Sequence, residues 1–193
     1  MLIMKPSSNR NHVIAIASEL FLQKGLANTS MDEVVVKSGV SKSNIYYHFK
    51  SKEDLVVAVF DYRINRLRET LDELSGSVNR SIAKRIELIF TALAEELEDR
   101  SCVGGCPIFS LLSAQIPEIR TRINHFIDEM QALVERLLVA GVVAGEFRAD
   151  IPIAQTATMI VTTLEGAMML AESRGNAEGI RNAGETLLHL LKV

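Results

Sequence analysis

The chain has 193 residues, 48% of them hydrophobic and 23% charged, enough to bury a core in one domain or in a small domain joined to a larger one, which excludes a wholly disordered chain. Its two cysteines, Cys102 and Cys106, are too few for a secreted disulfide framework, and the N-terminal MLIMKPSSNRNH lacks the apolar run and cleavage site of a signal peptide. The net charge of −3 conceals an asymmetry: residues 1–52 carry seven Lys/Arg against three Asp/Glu, and residues 53–193 carry 14 against 21, so a basic head on an acidic body predicts a polyanionic partner for the head alone.

Apolar residues recur at helical spacing along the whole chain, and the fold class expected is all-α. A first helix is predicted over Asn9–Lys24, with Val13, Ile16, Ala17, Leu20 and Phe21 inward and Gly25 as its stop. A second starts at Ser30, where SMDE forms a capping box with Glu33, and ends near Gly39. Ser41 caps a short third helix reaching about His48. The SKED box at Ser51 and Asp54 opens a fourth, Lys52 towards Glu73, followed by a loop over 75–79. Further helices are predicted at about Arg80–Asp99, briefly after Pro107, over Pro117–Ala140, Ile153–Ser173 and Ala177–Lys192. No charge-free apolar run reaches the roughly 18 residues of a membrane span. The nearest, Ile151 to Leu164, is interrupted by Pro152, Gln155 and threonines, and a soluble cytoplasmic protein is expected.

Two short helices joined by a tight turn at Ser38–Ser41 make a helix-turn-helix. On the third helix Ile45 and Phe49 are four apart, so with Val40 they can pin it against Val34, Leu20 and Phe21. Lys42, Ser43, Asn44, Tyr46, Tyr47 and His48 then occupy the remaining surface, with Tyr47 almost opposite the packed edge. A tyrosine aimed away from a core is poorly explained by folding. In a major groove Lys42 can donate to guanine or phosphate, Ser43 and Asn44 can bond base edges, and Tyr47 can lie on a thymine methyl. Thr29 and Lys52, at the starts of the second and fourth helices, are placed to hold the phosphate backbone.

The stretch TSMDEVVVKSGVSKSNIYYHFKSKEDL, with ELFLQKG before it, resembles the DNA-binding segment of TetR/AcrR-family transcriptional regulators over about fifty residues. GVS, IYYHF and SKEDL fall at the family's separations, while Val35 and Ser38 stand where alanine is usual. The resemblance implies DNA contacts at Thr29, Lys42, Ser43, Asn44, Tyr46, Tyr47, His48 and Lys52. It implies a helix-turn-helix domain over 1–51, a ligand-binding and dimerisation domain over 52–193, a homodimer through the last two helices, a small-molecule inducer and no cofactor. Two recognition helices of such a dimer meet major grooves about 34 to 36 Å apart or a multiple of that, so the operator should be palindromic.

The resemblance places an inducer pocket between about Asp54 and Ala140 with help from Ile153–Ser173. Phe60, Tyr62, Phe90, Phe109, Phe126, Met130, Met159 and Met169 are candidate lining residues, although Met and Phe at this spacing also make ordinary core. Glu165, the single charge between Asp150 and Glu172, can anchor a polar ligand or sit at the surface. Cys102 and Cys106 lack the further His or Cys ligands a zinc site needs. Each is either a small buried hydrophobe or, for Cys106 above all, a thiol that senses oxidants or electrophiles. An enzyme is not expected: no paired Glu-x-x-His, phosphate loop or nucleophile motif is present, Glu185 and His189 being four apart rather than three.

Overall fold

The computed structural model describes residues 9–192. Their helices are α1 (Asn9–Lys24), α2 (Met31–Ser38), α3 (Lys42–His48), α4 (Lys52–Ser75), α5 (Ile82–Asp99), a 3-10 helix (Phe109–Ala114), α6 (Pro117–Val143), α7 (Ile153–Arg174) and α8 (Glu178–Leu191). Among the described residues the one β-type pairing is an isolated antiparallel bridge between Phe147 and Lys192. The architecture is all-α, as the periodicity predicts.

The described residues form two compact units. One runs to Arg66 and includes Pro107–Arg120; the other comprises Leu67–Cys106 and the chain from Thr121 onward. The first unit thus extends past the helix-turn-helix into α4 and the 3-10 helix.

In the first unit the turns are set by local chemistry. Ser30 accepts from the Glu33 amide at 3.1 Å, while the Glu33 carboxylate is taken by Lys24 rather than returning to the cap. Gly39 closes α2 at φ 66°, a left-handed conformation that glycine adopts without a Cβ penalty, and its N–H donates to Val35 O at 3.1 Å. Ser41 Oγ then accepts from the Asn44 amide, starting α3 within two residues. Helices α1, α2 and α3 pack on one another around Val13, Ala17, Leu20, Phe21, Val34, Ile45 and Phe49, all buried. On α1 the inward residue is Ile14, not Ile16.

A buried arginine crosses this unit. Arg63 of α4, 6% exposed, donates Nε to Ser18 Oγ at 2.9 Å and Nη2 to Ser18 O at 2.8 Å. Its Nη1 reaches Pro107 O and Ser110 Oγ, so a single guanidinium joins α1, α4 and the segment entering the 3-10 helix.

The second unit is built on α5, α7 and α8, which pack mutually. Gly184 of α8 lets the helices approach: a Cβ there would lie 2.7 Å from Phe90 Cγ of α5. Glu146 caps α5 by accepting from the Ile82 and Ala83 amides, each at 2.9 Å, an anion at a helix N-terminus. The end of α4 is tied to α6 by Arg68 on Glu129, bidentate at 2.8 to 3.1 Å. Helix α7 is, by length and composition alone, apolar enough to cross a membrane, which counting charge-free runs did not reveal because Glu165 divides it. Its buried stripe of Ala157, Ile160, Val161, Leu164, Met168 and Ala171 belongs to the core of this unit.

Candidate nucleic-acid interface and ligand site

Helix α3 hides one edge and displays the rest. Ile45 is fully buried, while Tyr47 is 73% exposed and Tyr46 36%. Tyr47 therefore faces outward and Tyr46 lies nearer the packed edge, as the helical angle predicts. Ser43 and His48 are exposed and Asn44 is half-buried. The face is cationic around the rings: Lys42 Nζ lies 5.9 Å from the centre of Tyr46 and Lys50 Nζ 5.8 Å from that of Tyr47. His48 meets Tyr47 edge-on with ring centroids 5.0 Å apart. Lys42 also donates to Asp32 Oδ1 at 2.7 Å, and this hydrogen bond and charge raise the lysine's pKa above its usual value.

Thr29 and Lys52, also expected at the DNA, have backbone carbonyls as internal partners. Thr29 is 1% exposed, and its hydroxyl donates to Gly25 O at 3.0 Å and Leu20 O at 3.4 Å. Its side chain closes the end of α1, correcting the expectation that it presents a hydroxyl to phosphate. Lys52 is half-buried, and its ammonium donates to Leu26 O at 2.6 Å, leaving two further N–H groups for a phosphate. Lys50, on the same face as Tyr47, was missed because it follows the periodic part of α3. Asp32 was missed because an acid in a first helical turn reads as ordinary capping.

The residues expected around a ligand divide between the units. Phe60, Tyr62 and Phe109 lie in the first, and Phe90, Cys106, Phe126, Met130, Met159, Glu165 and Met169 in the second. Phe60, Phe90, Phe126 and Met130 are buried, Phe109 is half-buried, and Tyr62 accepts from Arg66 at 3.1 Å. In the second unit Phe90 and Met130 share an apolar void of about 10 Å³ with Ile86, Leu133, Val134 and Leu164. Met159 and Met169 correct the expectation: at 43% and 67% exposed, they stand on the outer face of α7, because that helix is apolar on both sides and periodicity cannot tell which side turns inward.

Cys106 and Glu165 do come together, with Sγ donating to Oε1 at 3.6 Å. Burial raises the Glu165 carboxyl above its usual range, and the thiol contact partly opposes this. Cys102 is buried. The loop between the cysteines is braced by Arg100, which donates to Val103 O at 2.8 Å and Gly105 O at 3.2 Å, and by Glu172, which accepts from the Gly104 amide at 3.0 Å. Helices α7 and α8 carry a groove of about 680 Å³ in which the small residues Gly166, Ala167, Gly179 and Ala183 stand with Leu170, Arg174 and Asn182.

Comparison with known proteins agrees with this geometry. The chain is 22% identical over 170 residues to the HTH-type transcriptional repressor DhaR of Mycobacterium sp. strain GP1, covering 88% of this chain and 85% of that one. It superposes on a TetR transcriptional regulator from Chloroflexus aurantiacus with a TM-score of 0.80 at 30% identity, over 94% of this chain and 92% of that one. The fold is shared with the regulatory protein TetR from Rhodobacter sphaeroides at a TM-score of 0.88 and 19% identity, over 96% and 100% of the two chains. Residues 13–59 match the family model for bacterial regulatory proteins of the tetR family, and residues 82–187, more than half of the chain, match that of the tetracyclin repressor-like C-terminal domain. With an exposed recognition helix in the first match and the α5, α7 and α8 core in the second, the chain belongs to the TetR family of bacterial transcriptional regulators.

Proposed function

We propose that this TetR-family regulator is a repressor that binds a palindromic operator as a homodimer and leaves it when a small molecule binds the second unit. It is a DNA-binding transcription factor, not an enzyme, and acts in the cytoplasm. The observation that carries the reading is the outward face of α3, where Tyr47 is 73% exposed with the Lys50 ammonium over its ring and Lys42 lies over the neighbouring Tyr46. Base reading is assigned to Tyr47, Lys42, Ser43 and Asn44, and phosphate contacts to Tyr46, His48, Lys50 and Lys52. Dimerisation is assigned to α7 and α8. Met159, Met169, Leu170 and Leu190 are exposed on these helices, and Leu170 lines the groove with Gly166, Ala167, Gly179 and Ala183, a surface another pair of helices can approach closely.

The inducer is assigned to the apolar cluster of Phe90, Met130 and Leu164. Helix α4 is the transmitting element, because it starts at Lys52 and continues without a break to Ser75. A ligand favouring a conformation with the wrong spacing of recognition helices needs about 1 to 3 kcal/mol of coupling to weaken operator binding roughly 5- to 150-fold. The test is a footprint on DNA upstream of the protein's own gene, repeated at rising salt and with candidate molecules. A palindromic footprint that weakens steeply with salt is expected, and its absence from every fragment refutes the reading.

A second reading takes the half-buried Cys106 as an oxidant or electrophile sensor, with the Glu165 carboxylate as acceptor of its thiol proton. Cys106→Ser should then hold the operator in oxidant that releases the wild type; equal release returns the cysteine to a packing role.

A further inference from the structure

The DNA-facing surface carries an acid that neither folding nor the roles assigned above require. Asp32 sits in the first turn of α2 with its Oδ1 2.7 Å from Lys42 Nζ, and the side chains are 72% and 61% exposed. A pair this open adds little to stability, and Glu33 already supplies α2 with an N-terminal acid. The consequence lies in the interface. Lys42 is the first residue of α3, so its charge is met by a carboxylate before DNA arrives.

Resting on the recognition-helix reading above, we infer that Asp32 is a selectivity determinant that suppresses non-specific DNA binding and aims Lys42 at a base. On random duplex a lysine contributes by neutralising phosphate, and Asp32 both competes for the ammonium and repels the backbone. On the operator the ammonium has three N–H groups, so one can stay on Asp32 while another reaches guanine O6 or N7. The acid therefore weakens random binding more than operator binding. Its geometry also fixes the direction of a flexible side chain.

The experiment measures affinity of the intact protein for the footprinted operator and for a random duplex of equal length across a salt series. Wild type, Asp32→Asn, Asp32→Glu and Lys42→Ala/Asp32→Asn are compared, with Asp72→Asn on the exposed far part of α4 as an equal change in net charge. Asp32→Asn should bind random duplex roughly 3- to 10-fold more tightly and steepen the salt slope by about 0.9. Operator affinity should change less, so the specificity ratio falls. Asp32→Glu should restore part of the ratio, and adding Lys42→Ala should remove the gain. An unchanged ratio, or the same gain from Asp72→Asn, overturns the inference. So does an operator loss confined to one base pair, which would make Asp32 a direct reader. If wild type itself selects no fragment, the recognition-helix reading fails and this inference with it; if wild type selects and only the ratio test fails, that reading stands.

Discussion

Replacing Arg63 by methionine keeps most of the side-chain volume and deletes the guanidinium that joins Ser18, Pro107 and Ser110. Ser18, itself 6% exposed, then has a buried hydroxyl without its donor. Hydrogen bonds from a charged donor contribute about 1.5 to 3 kcal/mol each, and they are not additive around one group. A net loss of about 3 to 5 kcal/mol is expected, the range for breaking a buried charged network. With a urea dependence of about 2 kcal/mol per molar, the unfolding midpoint should fall by about 1.5 to 2.5 M, read by tryptophan-independent circular dichroism at fixed protein concentration. A double-mutant cycle supplies the sharper measurement, because Ser18→Ala should cost less in the Arg63→Met background by at least about 0.5 kcal/mol. A midpoint shift under about 0.3 M, or additive single effects, would refute the claim that this guanidinium organises the first unit.

Tyr47→Ala and Lys42→Ala should each erase the footprint while leaving helix content and dimer mass unchanged; footprints identical to wild type would show that α3 does not read bases. Gly184→Ala should lower stability by about 1 to 3 kcal/mol in thermal unfolding, since the new methyl meets the Phe90 ring 2.7 Å away. For Glu165 the folded-state pKa lies above its usual 4.5 because of burial, so the folded protein binds the proton more tightly than the unfolded chain, and stability falls as pH rises from 4.5 through the folded value. Glu165→Gln does not titrate. Its stability advantage should therefore widen over that window, and an advantage independent of pH would contradict the burial argument.

Helix starts were readable because serine caps announce them: Ser30, Ser41 and Ser51 all accept from an amide three residues on. Gly25 and Gly39 marked two ends for the complementary reason, each having positive φ. The segment after Pro107 is a 3-10 helix because it is closed within six residues by Gln115 at φ 55°. What could not be read depends on tertiary partners. Thr29 looks like a helix-start donor until Leu20 of α1 and Gly25 just after it supply carbonyls to its hydroxyl. Arg63 falls on the apolar stripe of Val56, Val59 and Phe60, a register that hinted at burial but gave no acceptors. The outward placement of Met159 and Met169 is a property of an α7 that is apolar on both sides, where sequence period is silent about direction.

The void among Phe90, Met130 and Leu164, at about 10 Å³, is scarcely the size of one water. Any organic molecule entering there has to wait for several side chains to change rotamer together. Its measured affinity then equals the intrinsic affinity reduced by the fraction of time the cluster stands open. A substitution outside the lining that merely holds that cluster open would tighten an inducer without touching it and would raise its association rate by the same factor. Sensitivity to the effector in such a protein is set as much by the looseness of its empty core as by the contacts the effector makes.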